Sequence, residues 1–198
     1  SKGMVLSVGQ KSALYYATRT DSNIKNIQGF AGSGKSYTMK AISDSYQKAG
    51  YTCRGLALSG VISDNLGNDC KIKSSTIASF LYSIDKDHEQ VNDKTVLFID
   101  EASMIGTRDY QKILELAEKN NCKVISVGDN NQLQAIQSGG VFRGVCENTS
   151  SLTLSEIRRQ KDHQDRLATL NLSTGKTRKA LEHYDNKNCI KFHNTGLD

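Results

Sequence analysis

The 198-residue chain contains no proline and no tryptophan, and only 7% of it is aromatic. The missing proline carries no functional reading. Other absences exclude whole classes of function. No apolar run approaches the ~18 residues that a membrane-spanning helix needs. Nothing after Met4 has the apolar core of a secretory leader. The five cysteines, at positions 53, 70, 122, 146 and 189, include no C-x-x-C pair and no zinc-ligand spacing. They read as reduced thiols of a cytosolic protein, with Cys53, Cys122 and Cys189 buried close to strands. The four histidines are scattered and lack a metal or catalytic pattern. No long Lys/Arg run, internal repeat or low-complexity linker is present. The net charge of +5 and the pI of about 8.9 lean mildly toward anionic partners such as nucleotide or nucleic acid. The length suits one domain, with or without a small appendage.

What is present starts with Gly29-Phe30-Ala31-Gly32-Ser33-Gly34-Lys35-Ser36. This is G-x-x-x-x-G-K-[ST], a phosphate-binding loop. Gly29, Gly32 and Gly34 permit backbone conformations and close approaches that a Cβ would block. The loop N–H groups, Ser33 included, then face phosphate oxygens at the positive end of a helix. Lys35 reaches the β- and γ-phosphates, and the Ser36 hydroxyl binds Mg²⁺. A glycine-rich turn could match the motif by chance. The context is the confirming one: a short strand over 24–28 before the loop and a helix over 35–49 after it.

The rest of the chain alternates in the same way. An N-terminal turn and helix span 4–20, with Ser7 as a cap. A second strand covers 51–59, followed by a short helix or loop over 60–67. Residues 73–75 lead into a helix marked by Ile77, Phe80, Leu81 and Ile84. Residues 85–94 form a charged, exposed loop. Residues 95–99 are continuously apolar, the pattern of a strand buried on both faces of a parallel sheet. A helix over 110–117, a strand over 123–127, a short helix at 141–145 and a strand at 152–154 follow. Two helices split near Thr174-Gly175 occupy 163–184, and 189–192 reads as a last strand. This alternation predicts an α/β fold, a mostly parallel sheet with helices on both faces.

Three further clusters fall at strand ends, where ligands sit in open α/β sheets. Val96-Leu97-Phe98-Ile99-Asp100-Glu101 ends an apolar strand in two carboxylates. Asp100 there can bind Mg²⁺ opposite Ser36, and Glu101 can activate water as a general base. Gly128-Asp129-Asn130-Asn131-Gln132 follows the next strand, placing Gln132 to bond a γ-phosphate or position water. Glu156-Ile157-Arg158-Arg159-Gln160 offers two arginines. They read equally as a helix-start salt-bridging pair or as a partner for phosphate charge.

Together these elements resemble superfamily 1 DNA helicases of the RecD/TraA type, specifically their first RecA-like P-loop NTPase domain. The correspondences are GFAGSGKS (motif I), DEAS (motif II), GDNNQLQAI (motif III) and EIRRQ (motif IV). The stretch at 6–10 resembles the Q motif. The segments 55–66 and 74–81 sit where motifs Ia and Ib touch single-stranded DNA. The run QLQAIQSGGVFR…LSEIRRQ is most similar to the helicase part of TraA-type conjugative relaxases. The resemblance covers residues 4–192.

The resemblance implies ATP and Mg²⁺ as cofactors and ATP hydrolysis coupled to translocation on single-stranded DNA. Gln10 would contact adenine, and Lys35 the phosphates. Ser36 and Asp100 would hold Mg²⁺, and Glu101 would be the base. Gln132 would sense the γ-phosphate, and Arg159 would stabilise transition-state charge. The chain departs from the pattern at Val61, where relatives carry a basic residue, and at Gln134, where they often carry proline. Motifs V and VI of the second RecA-like domain have no counterpart, nor does the relaxase nucleophile region. The expected layout is a Q-motif helix over 1–20, a RecA-like domain over 21–160, and a helical extension over 161–198 toward a second domain. Candidate stacking aromatics are Phe80, Tyr82 and Phe142 with Arg143, though the low aromatic content favours core roles for most. Two other readings stay open: another P-loop NTPase, which lacks an Asn-Lys-x-Asp guanine motif here, and a nucleic-acid-binding module with a relic nucleotide site.

Overall fold

The computed structural model describes residues 5–30, 32–130, 141–155, 162–173 and 175–191. Ser7 begins the first helix, α1 (Val8–Thr18), through a reciprocal capping box: its side chain accepts from Gln10 N–H, and the Gln10 side chain accepts from Ser7 N–H. β1 (Ile24–Gly29) then leads through the glycine loop into α2 (Lys35–Lys48). β2 (Thr52–Ala57), α3 (Gly60–Cys70), β3 (Lys73–Thr76) and α4 (Ile77–Asp85) follow. Next come β4 (Thr95–Ile99), a 3-10 turn (Ala102–Met104), α5 (Thr107–Lys119) and β5 (Lys123–Gly128). α6 (Val141–Asn148), β6 (Ser151–Leu154), α7 (His163–Ser173) and α8 (Thr177–Asn186) complete the order.

The six strands form one sheet in the order β3-β2-β4-β5-β1-β6. Every pairing is parallel. Parallel sheets need cover on both faces, and the side chains supply it. Val96 and Phe98 of β4 point into a core shared with α1, α2 and α3. Leu97 and Ile99 point into a second core with α4, α5 and α6. β4 is therefore fully buried, as its unbroken apolar run predicts. The doubly wound arrangement confirms the expected RecA-like α/β architecture.

Four details differ from the sequence reading. β3 is a strand where only a lead-in to a helix is expected; its Lys-Ser-Ser-Thr sequence pairs with β2 alone, at the sheet edge. The expected strand at 189–192 does not form over 189–191, and Phe192 lies outside the described residues. Cys189 is exposed, whereas the other four thiols are buried and all five are free. The loop after α4 is not wholly solvated. Val91 is buried, and Glu89 pairs with Arg54, which is 4% exposed on β2. Phe80 and Phe142 are core residues, 1% and 0% exposed, which removes them as stacking platforms; Tyr82 stays 60% exposed.

Candidate nucleotide site

The site sits at the carboxyl ends of β1 and β4, separated in the sheet by β5. Its loop is held by backbone chemistry that side chains would spoil. Gly34, at the N-cap of α2, has φ 84°, a left-handed conformation that costs other residues about 1–2 kcal/mol. A Cβ there would lie 2.6 Å from Gln10 Nε2, and one at Gly29 would lie 2.5 Å from Ser33 Oγ. The loop closes with Ser33 N–H donating to the Phe30 carbonyl at 3.1 Å. Ser33 itself is 2% exposed, and its Oγ has no hydrogen-bond partner. Lys35 Nζ donates to the Gly29 carbonyl at 3.0 Å, folding the ammonium back over the loop.

Gln10 braces this arrangement from α1. It is 2% exposed. Its Oε1 accepts from Ser7 N–H at 3.0 Å, and its Nε2 donates to the Gly34 carbonyl at 3.4 Å. The predicted Q-motif residue is thus in direct contact with the phosphate loop.

At the end of β4, Asp100 N–H donates to the Leu56 carbonyl at 3.0 Å, which continues the strand pairing by one residue. Glu101 then takes φ 50°, and its N–H donates to Asp100 Oδ1 at 2.9 Å. Its Oε2 is buried without a partner. Asp100 and Glu101 share a cavity of about 300 Å³ with Ser36 and Met39 of α2 and Ile62, Asn65, Leu66 and Asp69 of α3. The structure therefore unites Gly29, Gly32, Ser33, Gly34, Lys35, Ser36, Asp100, Glu101 and Gln10 around one end of the sheet. Gln132, Arg158 and Arg159 lie outside the described residues. Sequence reasoning missed Asn65 and Asp69. The signal was present as the spacing 62, 65, 66, 69, one face of a helix.

Burial first, and the Glu101 charge second, raise the Asp100 carboxyl from 3.8 to about 6; its hydrogen bond from Glu101 N–H and the Lys35 charge oppose this, and Asp69 adds to it. Because the folded value exceeds the unfolded one, the native state holds a proton that the unfolded chain has released. Asp100 is therefore neutral to stability below about pH 4, and its ionisation destabilises the fold progressively as the pH rises through about 4 to 6. The ceiling on this cost is about 3 kcal/mol near neutral pH. Asp100→Asn is expected to raise the melting temperature of the nucleotide-free protein near neutral pH and to lose most of that gain near pH 4. Thermal denaturation at the two pH values checks it, and an unchanged melting temperature near neutrality would remove the strain from Asp100.

Residues 5–195 match the family described as AAA domain. The chain belongs to the AAA domain family. Within it, the probable conjugal transfer protein TraA of Sinorhizobium fredii (strain NBRC 101917 / NGR234) is 33% identical over 179 residues, covering 90% of this chain and 16% of that protein. The RecBCD enzyme subunit RecD of Buchnera aphidicola subsp. Acyrthosiphon pisum (strain APS) is 46% identical over 54 residues, 27% of this chain and 9% of RecD. Among solved structures, Pif1 helicase from Candida albicans superposes with a TM-score of 0.66 at 22% identity, covering 86% of this chain and 44% of that one; at that identity the likeness speaks for the fold. This AAA domain is a RecA-like domain of the superfamily 1 helicases, related to TraA, and it spans about a sixth of the TraA length.

Proposed function

We propose that this AAA domain is the ATP-binding lobe of a superfamily 1 DNA motor that serves conjugative transfer within a longer polypeptide. The observation that carries the reading is the convergence of Ser36, Asp100 and Glu101 on one cavity next to the Lys35 loop. A hydroxyl and a desolvated carboxylate form an all-oxygen donor set, which suits magnesium. The unpartnered Glu101 Oε2 and Ser33 Oγ mark polar atoms that await a ligand.

In this reading Lys35 leaves the Gly29 carbonyl and takes phosphate oxygens. The N–H groups of Gly32, Ser33 and Gly34 and the first turn of α2 face the same oxygens. Ser36 and Asp100 hold the magnesium ion, which when bound neutralises phosphate charge during transfer. Glu101 accepts the proton of the attacking water. Gln10 contacts adenine with the amide that already touches Gly34, so the occupied base pocket steadies the loop. Gln132 senses the γ-phosphate, and Arg159 neutralises developing charge.

The track is single-stranded DNA along segments 55–66 and 74–81; Leu58 and Val61 are exposed in the first, and Tyr82 is exposed just after the second. Residues 161–198 lead toward a second RecA-like domain, and a relaxase domain belongs to the same polypeptide. The site of action is cytoplasmic. Among the described residues no helix is long and apolar enough to cross a membrane.

Titration with a fluorescent ATP analogue and Mg²⁺ tests the reading. Saturable binding is expected for the wild type. Hydrogen bonds to charged groups are worth ~1.5–3 kcal/mol, so Lys35→Ala should bind about 10- to 100-fold more weakly. Equal affinity in both proteins would mean that the loop is a relic.

A further inference from the structure

Helix α3 brings to the cavity two polar side chains that no motif marks, Asn65 and Asp69. We propose that Asp69 is a positioning residue for the magnesium–phosphate group, holding the hydration shell of the ion from α3. This rests on the nucleotide-binding reading of the same cavity.

Asp69, Asp100 and Glu101 are three carboxylates around one space of about 300 Å³, and among the described residues no lysine or arginine lines it. The position of Asp69 on α3 is unfavourable for the helix itself. Asp69 lies in the last turn, where the helix dipole disfavours negative charge, and that turn holds no basic residue. A placement that works against local stability while facing a ligand cavity is the pattern of a functional residue. A triphosphate entering the cavity adds more negative charge, which a cation bound there would offset. Asp69 is exposed and comes from a helix other than α2, which carries both Lys35 and Ser36. An oxygen so placed suits the outer waters of magnesium, which keeps several of its own on binding.

The test is a magnesium titration of fluorescent ATP-analogue binding to the wild type, Asp69→Asn and Asp69→Glu, with melting curves alongside. Asp69→Asn should need about tenfold more Mg²⁺ for half-maximal binding, because one unit charge near the ion is lost. Without Mg²⁺ the same variant should bind nucleotide as well as or better than the wild type, since a carboxylate no longer repels phosphate. Asp69→Glu should keep the wild-type magnesium requirement. An unchanged requirement in Asp69→Asn overturns the proposal and leaves the nucleotide site standing. Equal weakening with and without Mg²⁺ marks a structural role and also overturns it. Wild-type protein that binds no better than Lys35→Ala sinks the nucleotide reading and the role of Asp69 together.

Discussion

Glu101→Gln is expected to lower ATP hydrolysis by about 10²–10⁴, the range that positioned general bases contribute, while magnesium-dependent nucleotide binding stays within a few-fold of wild type. The substitution keeps the shape of the side chain and removes its basicity. The structure accounts for the place of the carboxylate. Glu101 holds a left-handed backbone, φ 50°, a conformation that costs a non-glycine residue about 1–2 kcal/mol. The strain persists because both flanks are pinned. Asp100 extends the β4 pairing to Leu56, and the Glu101 carbonyl accepts from Met104 N–H at 2.9 Å in the following turn. The conformation turns the chain sharply after the strand, so Glu101 lines the cavity together with Ser36. Strain kept at such a point is consistent with a site built for chemistry. Single-turnover hydrolysis with protein in excess over ATP gives the rate directly, and wild-type turnover by the variant would remove Glu101 as the base.

Much of this arrangement was legible in the sequence because its signals are local. The phosphate loop is one contiguous run flanked by a strand and a helix, and β4 announces itself by four consecutive apolar residues, Val96 to Ile99, before Asp100. Both faces of that strand are buried, so no alternation was there to confuse the reading. The Ser7 cap was legible because capping involves neighbours three residues apart. What escaped was settled by tertiary context. β3 is Lys-Ser-Ser-Thr, with no apolar face, and forms only because β2 offers it a free edge. Conversely, Cys189–Lys191 has an apolar member in Ile190 yet pairs with no strand, so propensity alone does not make it one. Asp69 was hidden because it lies 31 residues from Asp100 in sequence and meets it only through the packing of α3 on α2. Gln10 was assigned from resemblance; its bridge to Gly34 across 24 residues is visible only in the fold.

The chain on its own is expected to hydrolyse ATP slowly even with saturating Mg²⁺ and single-stranded DNA, and a polypeptide extended through the following lobe is expected to turn over about 10³–10⁵ faster, the range that an arginine finger contributes. The reason is the charge around the cavity. Phosphoryl transfer spreads negative charge over the γ-phosphate oxygens and needs cations beyond the metal ion. Among the described residues, the polar side chains lining the cavity are Ser36, Asn65, Asp69, Asp100 and Glu101, none of them cationic. Lys35 on the adjoining loop is the nearby cation whose charge reaches Asp100. Once Lys35 leaves the Gly29 carbonyl for phosphate oxygens, the described residues would leave the far side of the transferring group without a counter-charge. Two sources can supply it: Arg158 or Arg159 of this chain, or an arginine of a second lobe. Turnover numbers of the two lengths separate them. A large gain on extension places the missing cation in the second lobe. Equal turnover places it in this chain, and Arg159→Ala in the short form should then lose the activity that extension failed to add.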